Sequence, residues 1–416
     1  MDLEDAIKFL LEKGLNKDQI ISLVLPFLTV RKGLSLERAL KLAEGLYEDA
    51  VQVLSNSGPY APSPLGVRAG EGGVGSRGLG DWAVHEALTS LSGGGDAARV
   101  GDLVLAVDGF HSRLSSVPLL MGFHAVRAAV RDVMVSGGAP VASLIDVHVA
   151  DDTDVAYLLD VTAGAYVAGE LTGAPLVGGS TLRIGGDAVI GNRVTGGAFA
   201  VGRKVRDWSR FNASPGDELY ATVGKGGGTV TAYALTHGRP ELVKLTLNVD
   251  FVYDIKRAME VECVKGAFDW TNGGIALDAF EISRKLGVKV VLWKSVYEAV
   301  HPELLKAFEE DGIDPLRTSV DSVVFVAERG CELPFVKVGE VEAGEGVYLE
   351  GEELEPAFRE APYTHSKRAV EGLERGADPE ELKEYLTKRI EELRGAVLGV
   401  RRGPLGALEE EEGEGD

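Results

Sequence analysis

The chain has 416 residues, 45% of them hydrophobic, and a formal net charge of −22. That length allows two domains and a sizeable core, and so acidic a surface repels nucleic acid and anionic membranes, which argues against both as partners. No stretch reaches the ~18 uninterrupted apolar residues of a membrane-spanning helix, and the acidic, amphipathic start MDLEDAIKFLLEKGL lacks the basic and apolar regions of a signal peptide.

Residues 1–57 are expected to be a helical extension. Asp5, Ala6, Phe9 and Leu10 fall in a first short helix, and Asn16 with Gln19 forms a capping pair for a second. Ser35 caps a third that runs to about Leu54, with Ala39, Leu42, Ala43, Leu46 and Val53 inward. Nothing here suggests chemistry, so the extension is expected to pack on the main body or on a partner protein.

Residues 58–80 break all periodicity. Pro59, Pro62 and Pro64 make a linker; Gly66, Gly70, Gly72, Gly73, Gly75, Gly78 and Gly80, with Arg68 and Arg77 between them, suit a loop that cradles phosphate. No Gly-Lys-Ser/Thr follows, so this is not a Walker loop, and a flexible linker is the plain alternative. Asp81 to Leu91 reads as a helix.

Asp102 to Val107 is an apolar run that predicts a buried strand. It delivers Asp108, followed by Gly109, at the strand end where α/β proteins place ligands. From Pro118 to Ser136 a helix is predicted, with Leu119, Phe123, Val126, Val130, Val133 and Met134 on one face. Asp132 lies opposite, among Ala125, Ala128 and Ala129. A face of alanines implies close packing, and a lone carboxylate there needs a cation or hydrogen bonds, which makes Asp132 a metal-ligand candidate. The SGGAP turn (136–140), a strand near Val141 to Val149, a helix from about Asp154 to Leu171 and the turn PLVGGST (175–181) follow. A strand within Asp187 to Val201 closes the domain.

A domain boundary is expected at about residues 203–212, where Asn212, Ser214, Pro215 and Gly216 make a turn. Beyond it Glu218 to Val223 reads as a strand, Lys225 sits among Gly224, Gly226, Gly227 and Gly228, and Ala258 to Val264 as part of a helix. A strand ends at Asp269, and the DWTNGG turn leads into a helix with Ile275, Leu277, Phe280 and Ile282 inward. Glycines at a helix N-terminus suit an anion; a plain tight turn fits equally well. Lys289 to Leu292 returns as a strand. From Pro362 the chain is expected to be helical, with Asp378-Pro379-Glu380-Glu381 a strong helix start, and residues 409–416 form an acidic solubilising tail. Cys263 and Cys331 are the only cysteines and lie far apart; neither a disulfide framework nor a cysteine-based zinc site is expected, and a reducing cytoplasm fits.

The order and spacing of three acids, the GGAP turn, the GGST turn and the DWTNGG turn resemble the aminoimidazole ribonucleotide (AIR) synthetase, or PurM-like, superfamily over about residues 70–340. Its members include thiamine-monophosphate kinase, selenophosphate synthetase and a hydrogenase maturation factor, and the closest fit is to the AIR synthase-related proteins. The resemblance implies an α/β, two-domain protomer (81–205 and 206–361) with helical extensions at both ends, dimerising through its N-terminal sheets. It implies ATP and Mg²⁺ in a shared groove, with Asp96, Asp108 and Asp132 as metal ligands and Asp108 and His111 in catalytic roles. Gly72, Gly73, Gly75, Arg77 and Gly78 would close over the phosphates, with Gly178, Gly179, Ser180 and Thr181 beside them. Asp269, Thr271, Asn272, Gly273 and Gly274 would lie on the C-terminal side. Carboxylates plus phosphate oxygens suit Mg²⁺.

The sequence departs from the family at three places. Ser180 stands where the turn usually carries an acid, the acidic C-terminus has no cysteine, and residues 66–80 contain neither cysteine nor selenocysteine; the last argues against selenophosphate synthesis. His111, three residues after Asp108, is a candidate for phosphate or substrate contact, and His148, after Asp146, a weaker one; a structural role suits either. The expected function is an ATP- and Mg²⁺-dependent enzyme that activates an oxygen of a small metabolite by phosphoryl transfer. The alternative is a catalytically silent nucleotide-binding partner in a larger assembly.

Overall fold

The computed structural model describes residues 2–58, 61–92, 94–184, 188–271 and 273–396. Three helices come first: α1 (Leu3–Glu12), α2 (Lys17–Pro26) and α3 (Leu36–Leu54). Asp2 caps α1, and Asn16 with Gln19 makes the predicted capping box of α2. They share a small core built on Leu3, Ile7, Ile20, Leu28 and Ala43. This core closes over Ala188 and Ile190 of the main body, and Lys32 pairs with Asp151 and Asp152.

After α4 (Leu79–Ser92) a five-stranded sheet forms in the order β1-β2-β5-β3-β4. Its strands are β1 (Ala98–Val100), β2 (Leu103–Gly109), β3 (Gly138–Val149), β4 (Leu176–Arg183) and β5 (Val194–Lys204). The pairings are antiparallel except that of β3 with β4. Alternation sorts the side chains. Val104, Ala106, Ile145, Val147, Ala198 and Ala200 are buried toward two helices, α5 (Pro118–Val135) and α6 (Val155–Thr172). The other face stays open: Val107 is 61% exposed, Phe199 42% and Val177 62%. So β2, apolar on both faces in sequence, is buried on only one.

The helix α5 is buried almost all round, not along one stripe, and Leu119 of the expected apolar face is exposed. One side meets the sheet; another meets α6 so closely that a Cβ at Gly122 would strike Val161 O and one at Gly164 would strike Leu119 O. Ala129 is fully buried, but Ala125 and Ala128 line a cavity, so part of the alanine face keeps a volume open instead of packing closed.

The second half forms a seven-stranded sheet in the order β12-β11-β8-β10-β6-β9-β7. Its strands are β6 (Glu218–Ala221), β7 (Val264–Trp270), β8 (Val288–Leu292), β9 (Ser322–Ala327), β10 (Val336–Ala343), β11 (Gly346–Leu349) and β12 (Glu352–Glu353). The helices α7 (Gly228–Thr236), α8 (Pro240–Thr246), α9 (Asp250–Met259), α10 (Gly274–Leu286) and α11 (Pro302–Asp311) join them. The helix expected across Ala258 to Val264 ends at Met259, and β7 begins at Val264. Cys263 and Cys331 are disulfide-bonded, which overturns the expectation from their distance in sequence: β7 and β9 are neighbours, and the cysteines sit at their adjoining ends.

The C-terminal segment is less helical than expected. It has a four-residue helix α12 (His365–Arg368) and a final helix α13 (Pro379–Ala396), with an extended strap before and between them. It also folds back on its own chain: Tyr385 Oη donates to Ser63 O at 2.6 Å and Arg389 to Ala61 O at 3.2 Å. The acidic tail lies outside the described residues.

Candidate functional site

A cavity of about 1370 Å³ opens between the two sheets. Its walls come from the end of β2, the side of α5 that carries Ala128 and Asp132, the end of β7, the loop before α4 and the C-terminal strap. Register explains how Asp108 reaches it: Asp108 pairs with Ala198 and falls on the α5 side of the sheet, one step past the buried Ala106. Asp132 points into the same space from the last turn of α5.

Among the described residues, neither Asp108 nor Asp132 has a hydrogen-bond or ion-pair partner. Both titrate high. Burial pushes Asp108 up to about 7, against the pull of Arg131 and with help from Asp269 and Asp321. Burial, then Asp269 and Asp108, raises Asp132 well above the ordinary carboxylate range. Half-buried acids that repel one another suit a divalent cation, and their donor set is all hard oxygen. Among the described residues no group of three or more His, Cys, Asp or Glu stands ready to hold a metal by itself. A cation here would therefore take its other ligands from water or phosphate, as Mg²⁺ commonly does.

The third acid is differently placed. Asp96 lines the cavity but is gripped by Arg210, whose Nε donates to Oδ2 at 3.3 Å and whose Nη2 reaches Oδ1. Arg210 also holds Asp278 at 2.9 Å and Glu281 at 3.1 Å. A second network joins the domains. Arg131 donates to Asp269 Oδ2 at 2.9 Å and to Asp321 Oδ2 at 2.6 Å, and Arg127 also donates to Asp321. Burial alone would raise Asp321, but the two guanidiniums hold it below the ordinary carboxylate range. These arginines, with Asp321, were not singled out from sequence. The available signal was Arg127 and Arg131, one turn apart in a helix whose other residues, His124 and Asp132 excepted, are small or apolar.

The other predicted residues divide. Gly75 and Arg77 line the cavity; Gly72, Gly73 and Gly78 do not. Gly73 and Gly78 instead let the strap lie close. A Cβ at Gly78 would come within 2.5 Å of Phe358 O, and Gly73 sits under the Phe358 ring. Gly178, Gly179, Ser180 and Thr181 form no turn. They lie within the edge strand β4, away from the cavity, with Ser180 directly across from Asp146. Asp269 and Thr271 line the cavity, Asp269 being engaged by Arg131. Gly273 and Gly274 are buried behind it, and a Cβ at Gly274 would strike Leu316 O. Asn272 lies outside the described residues.

His111 lines the cavity, with Nε2 3.1 Å from the Tyr363 hydroxyl and Nδ1 buried without a partner. Burial, aided by Lys367 and Arg113, lowers it to about 4, so at neutral pH it is an uncharged imidazole and not a phosphate-binding cation. His148 lies on β3 outside the cavity, 3.0 Å from Asp146.

Comparison with known proteins agrees with this architecture. The family described as AIR synthase related protein, N-terminal domain, matches residues 94–204. An uncharacterized protein of Methanocaldococcus jannaschii is 37% identical over 94% of this chain and 96% of its own. The thiamine-monophosphate kinase of Aquifex aeolicus is 26% identical over 60% of this chain and 83% of its own. A solved structure described as AaThiL complexed with AMPPCP and TMP superposes with a TM-score of 0.58 at 22% identity, over 72% of this chain and 99% of that one; this is a likeness of fold. The chain belongs to the AIR synthase-related proteins of the PurM-like superfamily.

Proposed function

We propose that this protein is an ATP- and Mg²⁺-dependent enzyme that transfers a phosphoryl group to an oxygen of a small metabolite. The observation that carries the reading is the pair Asp108 and Asp132, two unpartnered carboxylates facing one cavity with raised proton affinity. With Mg²⁺ bound they would hold the cation that neutralises the phosphate oxygens, which is most of what phosphoryl transfer asks of a protein. Asp96, Gly75 and Arg77 would border the nucleotide, and the neutral His111 would meet the acceptor. The relative solved with AMPPCP supports a nucleotide in this fold. We read the open apolar face of the first sheet, with Val107, Phe199 and Val177 exposed, as the surface of a homodimer.

The direct test is ADP formation from Mg-ATP by the pure protein supplied with fractionated metabolite extract. One fraction should release ADP in step with a new phosphorylated compound seen by mass spectrometry, and Asp132→Asn should abolish both. Tight Mg-ATP binding with no ADP from any fraction favours the second reading, a silent nucleotide-binding partner. That reading draws on Phe9, Leu23 and Val30, exposed apolar side chains of the N-terminal helices.

A further inference from the structure

The C-terminal strap builds one end of the cavity. Leu79 N donates to Ala357 O at 3.0 Å, Gly80 N to Phe358 O at 3.1 Å and Glu360 N to Ser76 O at 2.9 Å, so the strap is laced to the glycine loop. Next along it, Tyr363 is buried against His111. Thr364 then caps the following turn by accepting from Lys367 N at 3.2 Å. This sets Lys367 Nζ over the Tyr363 ring, 4.4 Å from its centroid.

Lys367 spends one donor on Glu360, and an ammonium has three. Arg113, from the turn after β2, lines the same end and has no ion-pair or hydrogen-bond partner among the described residues. Three buried polar atoms nearby also lack partners: His111 Nδ1, His124 Nδ1 and Glu360 Oε2. His124 is only 5% exposed and lines the cavity. Buried polar atoms are seldom left unsatisfied. The acids Asp108, Asp132 and Asp269 thus lie around Arg131, whereas Lys367 and Arg113 flank His111 where the strap walls the cavity.

We propose that Lys367 and Arg113 bind the acceptor substrate through an anionic group, a phosphate or a carboxylate, and so set the enzyme's substrate class. This rests on the reading that the acidic cluster takes Mg-ATP. A second anion cannot take the place of the nucleotide's phosphates, and Arg113, unpaired among the described residues, with the remaining donors of Lys367 supplies the charge that would hold it. Tyr363 is a positioning residue: its ring supports Lys367 and its hydroxyl fixes His111.

The test uses the full chain saturated with Mg²⁺ and a non-hydrolysable ATP analogue. Orthophosphate and malonate are titrated separately, and binding is followed by calorimetry. One of the two should bind saturably, which names the anion. Lys367→Gln and Arg113→Gln should each weaken it at least ten-fold, with nucleotide affinity held within two-fold, and Lys367→Arg should retain binding. Since Lys367→Gln leaves Glu360 buried, Glu360→Gln with Lys367→Gln removes both charges together and should lose the anion equally. Saturation by neither anion, or wild-type affinity in the glutamine variants, overturns the proposal. If the analogue fails to bind but the anion does, and the variants lose it, the nucleotide reading fails and the anion site stands.

Discussion

Replacing Asp108 with asparagine keeps the shape of the side chain and removes a charge that the apo fold disfavours. Burial and its acidic neighbours raise this carboxyl from 3.8 to about 7. A folded-state value above the unfolded one means that the native state binds the extra proton. Stability is therefore greatest below about pH 4, falls as pH rises toward 7, and levels off above it. At ~1.4 kcal/mol per pH unit, the interval corresponds to roughly 4 kcal/mol at most, shared with Asp132, whose carboxyl is raised in part by Asp108 itself. Urea unfolding in EDTA should therefore show Asp108→Asn close to wild type at pH 4 and more stable by about 2–4 kcal/mol at pH 8. With saturating Mg-ATP the order should reverse, because the carboxylate then has a cation to hold. A stability difference that stays flat from pH 4 to pH 8 would show that Asp108 is not held in a repulsive, desolvated cluster.

Asp96→Asn should behave oppositely to Asp132→Asn in apo melting experiments. It strips a partner from buried Arg210 and should lower stability by about 1–3 kcal/mol, whereas Asp132→Asn should hold or raise it. Cys263→Ala with Cys331→Ala opens a link across a sequence separation of 68. A loop of that order accounts for roughly 4 kcal/mol of chain entropy, so the denaturation midpoint should fall, and reductant should change the wild type but not the variant. Light scattering at micromolar concentration should report a dimer, and Phe199→Lys on the open sheet face should yield monomer; a wild-type monomer would contradict the assembly.

What sequence could show here was local. The apolar run before Asp108, the Asn16–Gln19 capping box and the placement of Asp132 away from the larger apolar side chains all follow from short-range spacing, and the structure contains each. The ion pairs are another matter. Arg131 and Asp269 are 138 residues apart, and Arg127 and Asp321 are 194 apart, so no periodicity announces them. Glycine misled where it serves close approach instead of turning. Gly179 looks like a turn residue, yet a Cβ there would strike Ile145 O on the neighbouring strand. Gly78 and Gly80 look like phosphate ligands, yet they make room for Phe358. The strap itself was invisible because its partners are a loop some three hundred residues earlier.

The central claim is that Asp108 and Asp132 hold a cation that carries a nucleotide, and calorimetry of ATP binding with and without Mg²⁺ tests it most directly. ATP should bind the wild type only when Mg²⁺ is present, and Asp108→Asn or Asp132→Asn should each weaken that binding at least ten-fold. Equal ATP affinity in Mg²⁺ and in EDTA, or unchanged affinity in both variants, would contradict it.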